Sequence, residues 1–297
     1  MAGKEKIIDE LLKDAPPGQV KEVLKDVKIL VGDDALVETV AKKTIQTYDL
    51  EHLTQATYEN EKGKESTFLL SSHGKVEDNF YFDPSTKKCI KYNHLEQKCE
   101  DVREATDEEL KTLEKTGDTE ELRSRLHSDL KDNYMKDNYP HGTCAAYYCS
   151  NSDNIVVCIS STVYKPRSYW SGRWTSQWTL TGLDGTSLSL EGKCNVTTHY
   201  FENGNVQFRS NRQFKKRTLE GVKDTKDVTQ VVKSVKQCIS EEELDYQEEL
   251  QESLREFAET TFKKLRRQLP LTQLTFPWTT GAASLATELV TKGKGKA

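Results

Sequence analysis

The centre of the chain carries a series of short apolar runs that are separated by turn-forming residues. The runs Thr143–Cys149 and Ile155–Ser161 flank a Ser-Asn-Ser-Asp-Asn segment, which is typical of a turn between two strands. Further along, Asn203-Gly204 is a strong signal for a two-residue hairpin. Hairpins that follow one another along a chain build an antiparallel sheet, and this feature constrains the fold more than any other.

The residues between these turns predict which side chains share a face of the sheet. Over residues 174–181 aromatic and polar residues alternate, so every second side chain points to one face of a strand. The positions of that parity are Trp174, Ser176, Trp178 and Leu180. Further strands are predicted over residues 187–190 and 193–201. One covering helix cannot protect both faces and both edges of such a sheet, and we therefore expect an edge-to-edge partner.

Residues 5–45 carry apolar stripes with helical spacing, and two breaks divide them into three short helices. The breaks are Pro16-Pro17-Gly18, where proline interrupts the helical hydrogen bonds, and Gly32-Asp33-Asp34. The stripe positions are Ile7, Leu11 and Leu12; Val20, Val23, Leu24, Val27, Leu30 and Val31; and Leu36, Val40 and Ile45. Helices that are apolar on one side must pack against another part of the molecule.

Three patterns lie between these helices and the central strands. Phe68–Leu70 and Phe80–Phe82 are apolar runs next to turn residues, and they predict short strands. Residues 98–118 are polar and acidic, which indicates a linker or an exposed helix. A helix is predicted from a capping box at Asp118 to the break at Pro140. Its capping partner is Glu121, and its apolar positions, four residues apart, are Leu122, Leu126, Leu130 and Tyr134.

A helical stripe from Asp224 to Gln268 predicts one long helix of 45 residues, which spans about 68 Å. Between Glu241 and Glu259 nine acidic residues accompany a single base, Arg255, and this indicates a solvated helix face. Helix propensity alone rarely holds a helix of this length, so a sheet or a partner is expected to run along it.

The C-terminal segment combines positive charge with a short apolar stripe. The stretch from Lys263 to the end has a net charge of +6, so residues 1–262 carry −11 of the total of −5. Its first bases are Lys263, Lys264, Arg266 and Arg267, and the stripe beyond Pro270 consists of Leu271, Leu274 and Trp278. A basic tail on an acidic body suggests that the tail binds an acidic surface of another molecule, and the candidates are actin, anionic lipid and nucleic acid. The alternative is a solvated helix end whose bases meet the helix dipole, but this does not explain the stripe.

Composition and motifs exclude several classes of protein. Hydrophobic residues make up 35% of the chain and charged residues 31%. This low apolar content indicates either that part of the chain is disordered or that a partner subunit covers part of its apolar surface. The seven cysteines form no Cys-x-x-Cys pair, and no signal peptide or membrane span is evident, so we expect a cytoplasmic protein with reduced thiols. No nucleotide-binding, metal-binding or catalytic motif occurs, so we expect neither an enzyme nor a cofactor or metal. The acidic body argues against nucleic acid as the ligand.

Three stretches together resemble the alpha subunits of F-actin capping protein (CapZ). Residues 169–178 contain an aromatic-Trp-x-Gly-Arg-Trp-x-Ser-x-Trp pattern, and residues 199–207 are similar to the family's hairpin before the last strand. Residues 261–270 are similar to its Phe-Lys-x-Leu-Arg-Arg-Gln-Leu-Pro run, and Ala15–Gly18 fits an N-terminal feature. The order and spacing hold from about residue 7 to residue 278.

The resemblance implies an obligate heterodimer with a homologous beta subunit and an α+β fold. The implied parts are N-terminal helices, a central antiparallel sheet that the two subunits share, a long helix that crosses this sheet, and a mobile amphipathic C-terminal segment, the tentacle. The expected regions are residues 1–50 (helices), 51–117 (small strand-rich region and acidic linker), 118–222 (helix and central sheet), 223–269 (long helix) and 270–297 (tentacle and disordered tail).

The implied function is calcium-independent capping of the barbed end of actin filaments in the cytoskeleton, by steric exclusion of further subunits. The expected actin-binding residues are Lys263, Lys264, Arg266, Arg267, Leu271, Leu274 and Trp278. Lys263 and Arg267 are also expected to bind anionic phosphoinositides, and capping-protein regulators are further expected partners. For Trp170, Arg173, Trp174 and Trp178 we expect packing in the core or at the dimer interface. The alternative is a non-capping structural subunit of an actin-related or membrane-associated assembly.

Two positions depart from the family pattern. A third family base, expected six residues after Arg267, is Gln273 here, so the resemblance does not carry that electrostatic contact to actin over to this chain. Phe276-Pro277 precedes Trp278 in place of an isoleucine and an acidic residue, and the proline is expected to start or kink the tentacle helix.

Overall fold

The structure is a computed structural model that describes residues 2–256, apart from residues 61, 62, 64, 116, 150, 151, 153, 184–186, 203, 204 and 221–226. The chain divides into two compact units, Met1–Ser240 and Glu241–Ala297, and most elements belong to the first. The predicted α+β class is confirmed, with N-terminal helices, antiparallel sheets and a long helix at the C-terminal end. No helix in the described part of the chain combines the length and apolar character that a membrane crossing requires.

The three N-terminal helices are α1 (Ala2–Lys13), α2 (Val20–Val31) and α3 (Asp34–Glu51), and they end at the predicted breaks. Gly32 adopts a left-handed conformation after α2, with φ of 65°, and the side chain of Asp33 caps α3 by accepting from the backbone N–H of Leu36. The stripe prediction for α1 is wrong at two positions. Ile7 and Leu11 are 56% and 42% exposed, because the helix turns Ile8 and Leu12 into the core instead.

Two small sheets follow. The first is a hairpin of β1 (Gln55–Glu59) and β2 (Glu65–Leu69). The second has the order β3 (Lys75–Glu77), β4 (Phe80–Asp83), β5 (Lys88–Asn93) and β6 (Lys98–Glu104). The prediction of a linker or exposed helix over residues 98–118 is wrong for its first part, since β6 pairs with β5 there. Its second part contains an exposed helix, α4 (Asp107–Leu113), with a capping box between Thr106 and Glu109.

The next helical segment comprises α5 (Asp118–Asp129), a π-helical turn (Leu130–Tyr134) and α6 (Met135–Asn138). The predicted capping box is wrong, because Gly117 occupies the N-cap and the helix begins at Asp118 itself. Apolar residues at every fourth position drift by about 40° per step around an α-helix. The wider π-turn reverses part of this drift, and Leu122, Leu126, Leu130 and Tyr134 are all buried.

The central sheet is an antiparallel meander with the strand order β11-β10-β9-β8-β7. Its strands are β7 (Gly142–Tyr148), β8 (Ile155–Lys165), β9 (Trp170–Thr181), β10 (Ser189–Tyr200) and β11 (Val206–Thr218). The two strands predicted over 187–190 and 193–201 form the single strand β10, which pairs with β11 through an irregularity between Leu190 and Gly192. The predicted parity of β9 is confirmed by its register with β8 and β10.

The last described element is α7 (Val228–Glu256), which covers the middle of the predicted long helix. The predicted stripe positions Val231, Val235 and Ile239 are buried. Lys236 forms an ion pair with Asp129 of α5, with 2.7 Å between Nζ and Oδ2. The ends of the predicted helix, 224–226 and 257–268, lie outside the described residues.

Candidate partner-binding edge of the central sheet

Trp178 joins β9 to the outer strand β11 across the face of the sheet. Its side chain is 1% exposed and stacks on Phe214 of β11, with ring centroids 4.6 Å apart and an interplanar angle of 22°. Gly192 of the intervening strand β10 makes room for the indole, since a Cβ atom there would be 2.4 Å from a ring carbon of Trp178. The sequence therefore needs glycine in the middle of a strand at this position.

Arg173 lies on the opposite face of β9 and connects the sheet to the N-terminal helices. It is 7% exposed, and its Nη2 donates to the hydroxyl of Tyr48 at 3.1 Å. The guanidinium carbon is 5.0 Å from the centroid of the Tyr48 ring, and the Tyr48 hydroxyl donates to the carbonyl of Ala15 at 2.9 Å. Burial raises the pKa of Tyr48, and the positive charge of Arg173 partly offsets this rise.

The other two tryptophans of β9 are half-buried. Trp174 lies 6.3 Å from the ring of Tyr139, and Nζ of Lys165 is 5.3 Å from the ring of Trp170. The structure thus places Trp178 and Arg173 within the core of this chain and leaves Trp170 and Trp174 partly exposed. A role of these residues at a dimer interface stays a prediction.

The outer side of β7 is closed by side chains of α5. Nη1 of Arg123 donates to the carbonyl of Ala146 at 2.9 Å, and the backbone N–H of Ala146 donates to Nδ1 of His127 at 3.3 Å. Arg123 also pairs with Glu120 and Glu114, and Glu114 pairs in turn with Lys87, so the buried charge of Arg123 is compensated. Six of the seven residues of β7 are buried. We call this side of the sheet, formed by β7, the closed edge.

The environment of His127 keeps its imidazole neutral. Because Nδ1 accepts from Ala146, the proton is on Nε2, which donates to the hydroxyl of Ser85 at 3.0 Å. Burial, reinforced by the charges of Lys131 and Arg123, lowers the pKa of His127 from 6.5 to about 4. A neutral ring is the form that can accept the hydrogen bond of a strand backbone.

The outer strand at the other side, β11, is long, exposed and basic. Among the residues that the structure describes, no strand pairs with its outer side, and only one of its thirteen residues, Phe214, is buried. It contains five bases and no acid: Arg209, Arg212, Lys215, Lys216 and Arg217. Arg209 forms an ion pair with Asp14 at 2.8 Å. We call this side of the sheet, formed by β11, the open edge.

The predicted actin-binding residues lie outside the described residues; they are Lys263, Lys264, Arg266, Arg267, Leu271, Leu274 and Trp278. Two features of the sheet were missed from the sequence. The charge of β11 could have been found by counting charges for each predicted strand. The contacts of Arg123 and His127 with Ala146 join elements about twenty residues apart, and only the packed structure shows them.

Comparison with known proteins gives a consistent result over more than nine tenths of the chain. Residues 8–288 match the model of the family described as F-actin capping protein alpha subunit. The chain is 32% identical over 275 residues to the F-actin-capping protein subunit alpha of Dictyostelium discoideum, covering 92% of both chains. It is 31% identical over 279 residues to that of Caenorhabditis elegans, covering 93% of both. A structure described as the homodimeric actin capping protein alpha subunit from Plasmodium berghei has a similar fold, with a TM-score of 0.72 and 22% identity over 92% of this chain and 99% of that one.

Proposed function

Because the chain belongs to the F-actin capping protein alpha subunit family, we propose that it caps the barbed ends of actin filaments together with a capping protein beta subunit. The observation that carries this proposal is the extent of the family match, which runs from residue 8 to residue 288 and includes the predicted actin-binding segment. Membership in this family also agrees with the expectation that the chain is not an enzyme.

Two properties of residues 263–278 supply the mechanism. The four bases Lys263, Lys264, Arg266 and Arg267 steer the protein to an acidic filament end and increase the association rate. The apolar side chains of Leu271, Leu274 and Trp278 are then buried in grooves of the terminal actin subunits and slow dissociation. The bound protein occupies the position of the next subunit, so the filament end neither grows nor shortens. No step requires calcium.

The partner strand of the proposed dimer adds at the open edge. Side chains of α5 already occupy backbone groups of β7, whereas nine of the thirteen residues of β11 are exposed. A strand that adds to β11 extends the antiparallel sheet and satisfies the backbone groups of this edge. Since the Plasmodium berghei structure is described as homodimeric, a second copy of the chain is the competing partner, and we propose the beta subunit instead.

Anionic phosphoinositides are proposed to compete with actin for Lys263 and Arg267, because a clustered positive charge attracts both an acidic protein surface and anionic headgroups. Near a membrane, this competition would detach the protein from filament ends. We therefore propose that the protein acts in the cytoskeleton and that anionic lipids regulate it there.

Elongation of actin from filament seeds, with growth restricted to barbed ends, tests the proposal. The chain is co-expressed with a beta subunit, and Lys263→Ala with Arg267→Ala is compared with the unchanged dimer. We expect the association rate to fall about tenfold at low salt, with a smaller difference at high salt. Lys292→Ala with Lys294→Ala removes the same charge beyond the stripe and serves as the matched control. Equal inhibition by all three dimers would reject the assigned role, and a dimer without any inhibition would favour a non-capping structural subunit.

A further inference from the structure

We propose that the open edge selects its partner by charge: β11 accepts a strand that carries acidic side chains and rejects a second copy of this chain. The inference rests on the proposed function, because it takes β11 as the edge at which two subunits meet. It adds the chemistry of the partner strand and the reason why the chain does not pair with itself.

The positive charge of β11 is distributed over both faces of the sheet. Arg209 shares its face with Arg173 of β9, whereas Arg212, three residues along, is on the face of Trp178. A flat anionic surface such as a membrane can meet one of these faces only. A strand that adds in the plane of the sheet presents side chains to both faces, so its acidic groups can approach Arg212 on one face and, on the other, Arg209, which also pairs with Asp14 of this chain. The distribution of charge therefore fits a strand.

A second copy of β11 would bring like charges together. In the antiparallel register that pairs the whole of Val206–Thr218 with its copy, Arg212 faces itself and Arg209 faces Lys215. Like charges directly opposite each other destabilise a strand pair, and β11 itself carries no acid. Asp14 pairs with Arg209 within each copy and reduces the repulsion at that position only. Self-association at this edge is therefore opposed along its central part.

Lys215 and Lys216 strengthen this selection at the C-terminal end of β11. Leu190 pairs with Arg217 and Gly192 with Phe214, so the two lysines lie opposite a single residue, the exposed Glu191 of β10, and form a bulge. Both are exposed, and no ion pair joins either of them to a residue that the structure describes. Bulges and lysines on an edge strand are devices against unwanted edge pairing. An acidic partner strand would meet these two charges, and their substitution disturbs no ion pair within the described part of the chain.

The test reverses this charge in the full-length chain. Lys215→Glu with Lys216→Glu places a carboxylate opposite Arg209 in the self-pairing register, so repulsion becomes attraction. We expect sedimentation of the variant chain alone to show self-association at least about tenfold tighter than that of the unchanged chain. We expect its affinity for the beta subunit to be about tenfold weaker, with both differences decreasing at high salt. Lys215→Gln with Lys216→Gln, which changes charge without introducing acids, should give smaller changes in the same directions.

Lys21→Glu with Lys25→Glu in α2 is the matched control, because it reverses the same number of exposed lysines outside β11. The inference is overturned if the β11 variants bind the beta subunit and themselves as the control does. It is also overturned if the only change in the β11 variants is weaker binding to vesicles of phosphatidylcholine and phosphatidylserine, because the charge would then serve a membrane and not a partner strand. The proposed function fails separately, when the unchanged chain forms no capping dimer with the beta subunit.

Discussion

The two outer strands of the central sheet meet their surroundings in opposite ways. On the closed edge, β7 is buried, and Arg123 and His127 occupy the backbone groups of Ala146. On the open edge, β11 is nearly twice as long, is anchored by the single buried residue Phe214 and carries five bases. Among the described residues, one side of the sheet is therefore completed by the chain itself, and the other has no strand on its outer side.

The difference shows that edge protection takes two forms in one sheet. Covering an edge with a helix satisfies its backbone permanently and prevents any strand from adding. Placing charge on an edge leaves the backbone available but restricts which strand can approach. The first form suits a side that must stay inert, and the second suits a side that must recognise one partner.

Loss of Arg123 should give the largest effect on stability. Arg123→Met leaves the carbonyl of Ala146 and the carboxylate of Glu120 without their buried cation, whereas Glu114 keeps its ion pair with Lys87. We expect the free energy of unfolding to fall by about 4 kcal/mol, as for other broken buried ion pairs. Urea unfolding of the purified dimer at one fixed protein concentration measures the change. Arg125→Met, at an exposed position of the same helix, should change it by less than about 0.5 kcal/mol. Equal effects of both variants would show that the closed edge does not depend on Arg123.

Removal of the anchor of the open edge should have the next largest effect. Phe214→Ala removes the ring that stacks on Trp178 and is expected to cost about 3 kcal/mol. Hydrogen exchange should locate the loss, with faster exchange in β11 and little change in β7 and β8. Phe208→Ala, at a half-buried position of the same strand, should cost about 1 kcal/mol. Equal acceleration of exchange in β7 would contradict an independently anchored β11.

Acid should weaken the closed edge through His127. Its pKa is lowered from 6.5 to about 4 in the folded chain, so the unfolded chain binds the proton more tightly. The stability that the neutral ring contributes is complete above pH 6.5 and is lost as the pH falls toward 4, by about 2 kcal/mol between pH 7 and pH 5. Asp83 and Asp132 oppose the lowering by Lys131 and Arg123 only in part.

Comparison of urea unfolding at several pH values with His127→Gln tests this explanation. Glutamine keeps a donor and an acceptor but does not titrate, so the variant should show a flatter dependence over pH 5–7. An unchanged slope would assign the pH dependence to another group. His52, whose pKa burial lowers to about 3, is the first candidate.

Local signals in the sequence were sufficient for most elements of the fold. Pro16-Pro17-Gly18 and Gly32 predicted where the N-terminal helices end, and the two-residue period of β9 predicted which of its side chains share a face of the sheet. β6 was missed because it is charged and largely exposed, so it lacks the alternation of a half-buried strand. β10 was predicted as two strands because Gly192 interrupts the pattern, although this glycine only admits the ring of Trp178.

The candidate site was predictable to a smaller degree. Trp178 and Arg173 were singled out as packing residues, but their partners Phe214 and Tyr48 belong to distant parts of the chain. Which edge of the sheet is covered depends on how α5 packs, and hydrophobic periodicity gives only the face that a helix buries. The charge of β11 was present in the sequence, and its meaning became evident once β11 proved to be an outer strand.

The smallest effect should come from a hydroxyl within the closed edge. Tyr147 of β7 is 3% exposed, and among the described residues its hydroxyl has no hydrogen-bond partner, while burial raises its pKa well above 10. Tyr147→Phe should therefore change the free energy of unfolding by less than about 0.5 kcal/mol or increase it, because removal of a buried, unsatisfied hydroxyl costs nothing. Tyr48→Phe is the matched control at a similarly buried position, and it should cost about 1–2 kcal/mol because the Tyr48 hydroxyl bonds to Ala15 and Arg173. If Tyr147→Phe destabilised the protein as much as Tyr48→Phe, a polar contact of that hydroxyl would hold the closed edge. Closure by the backbone contacts of Arg123 and His127 alone would then be refuted.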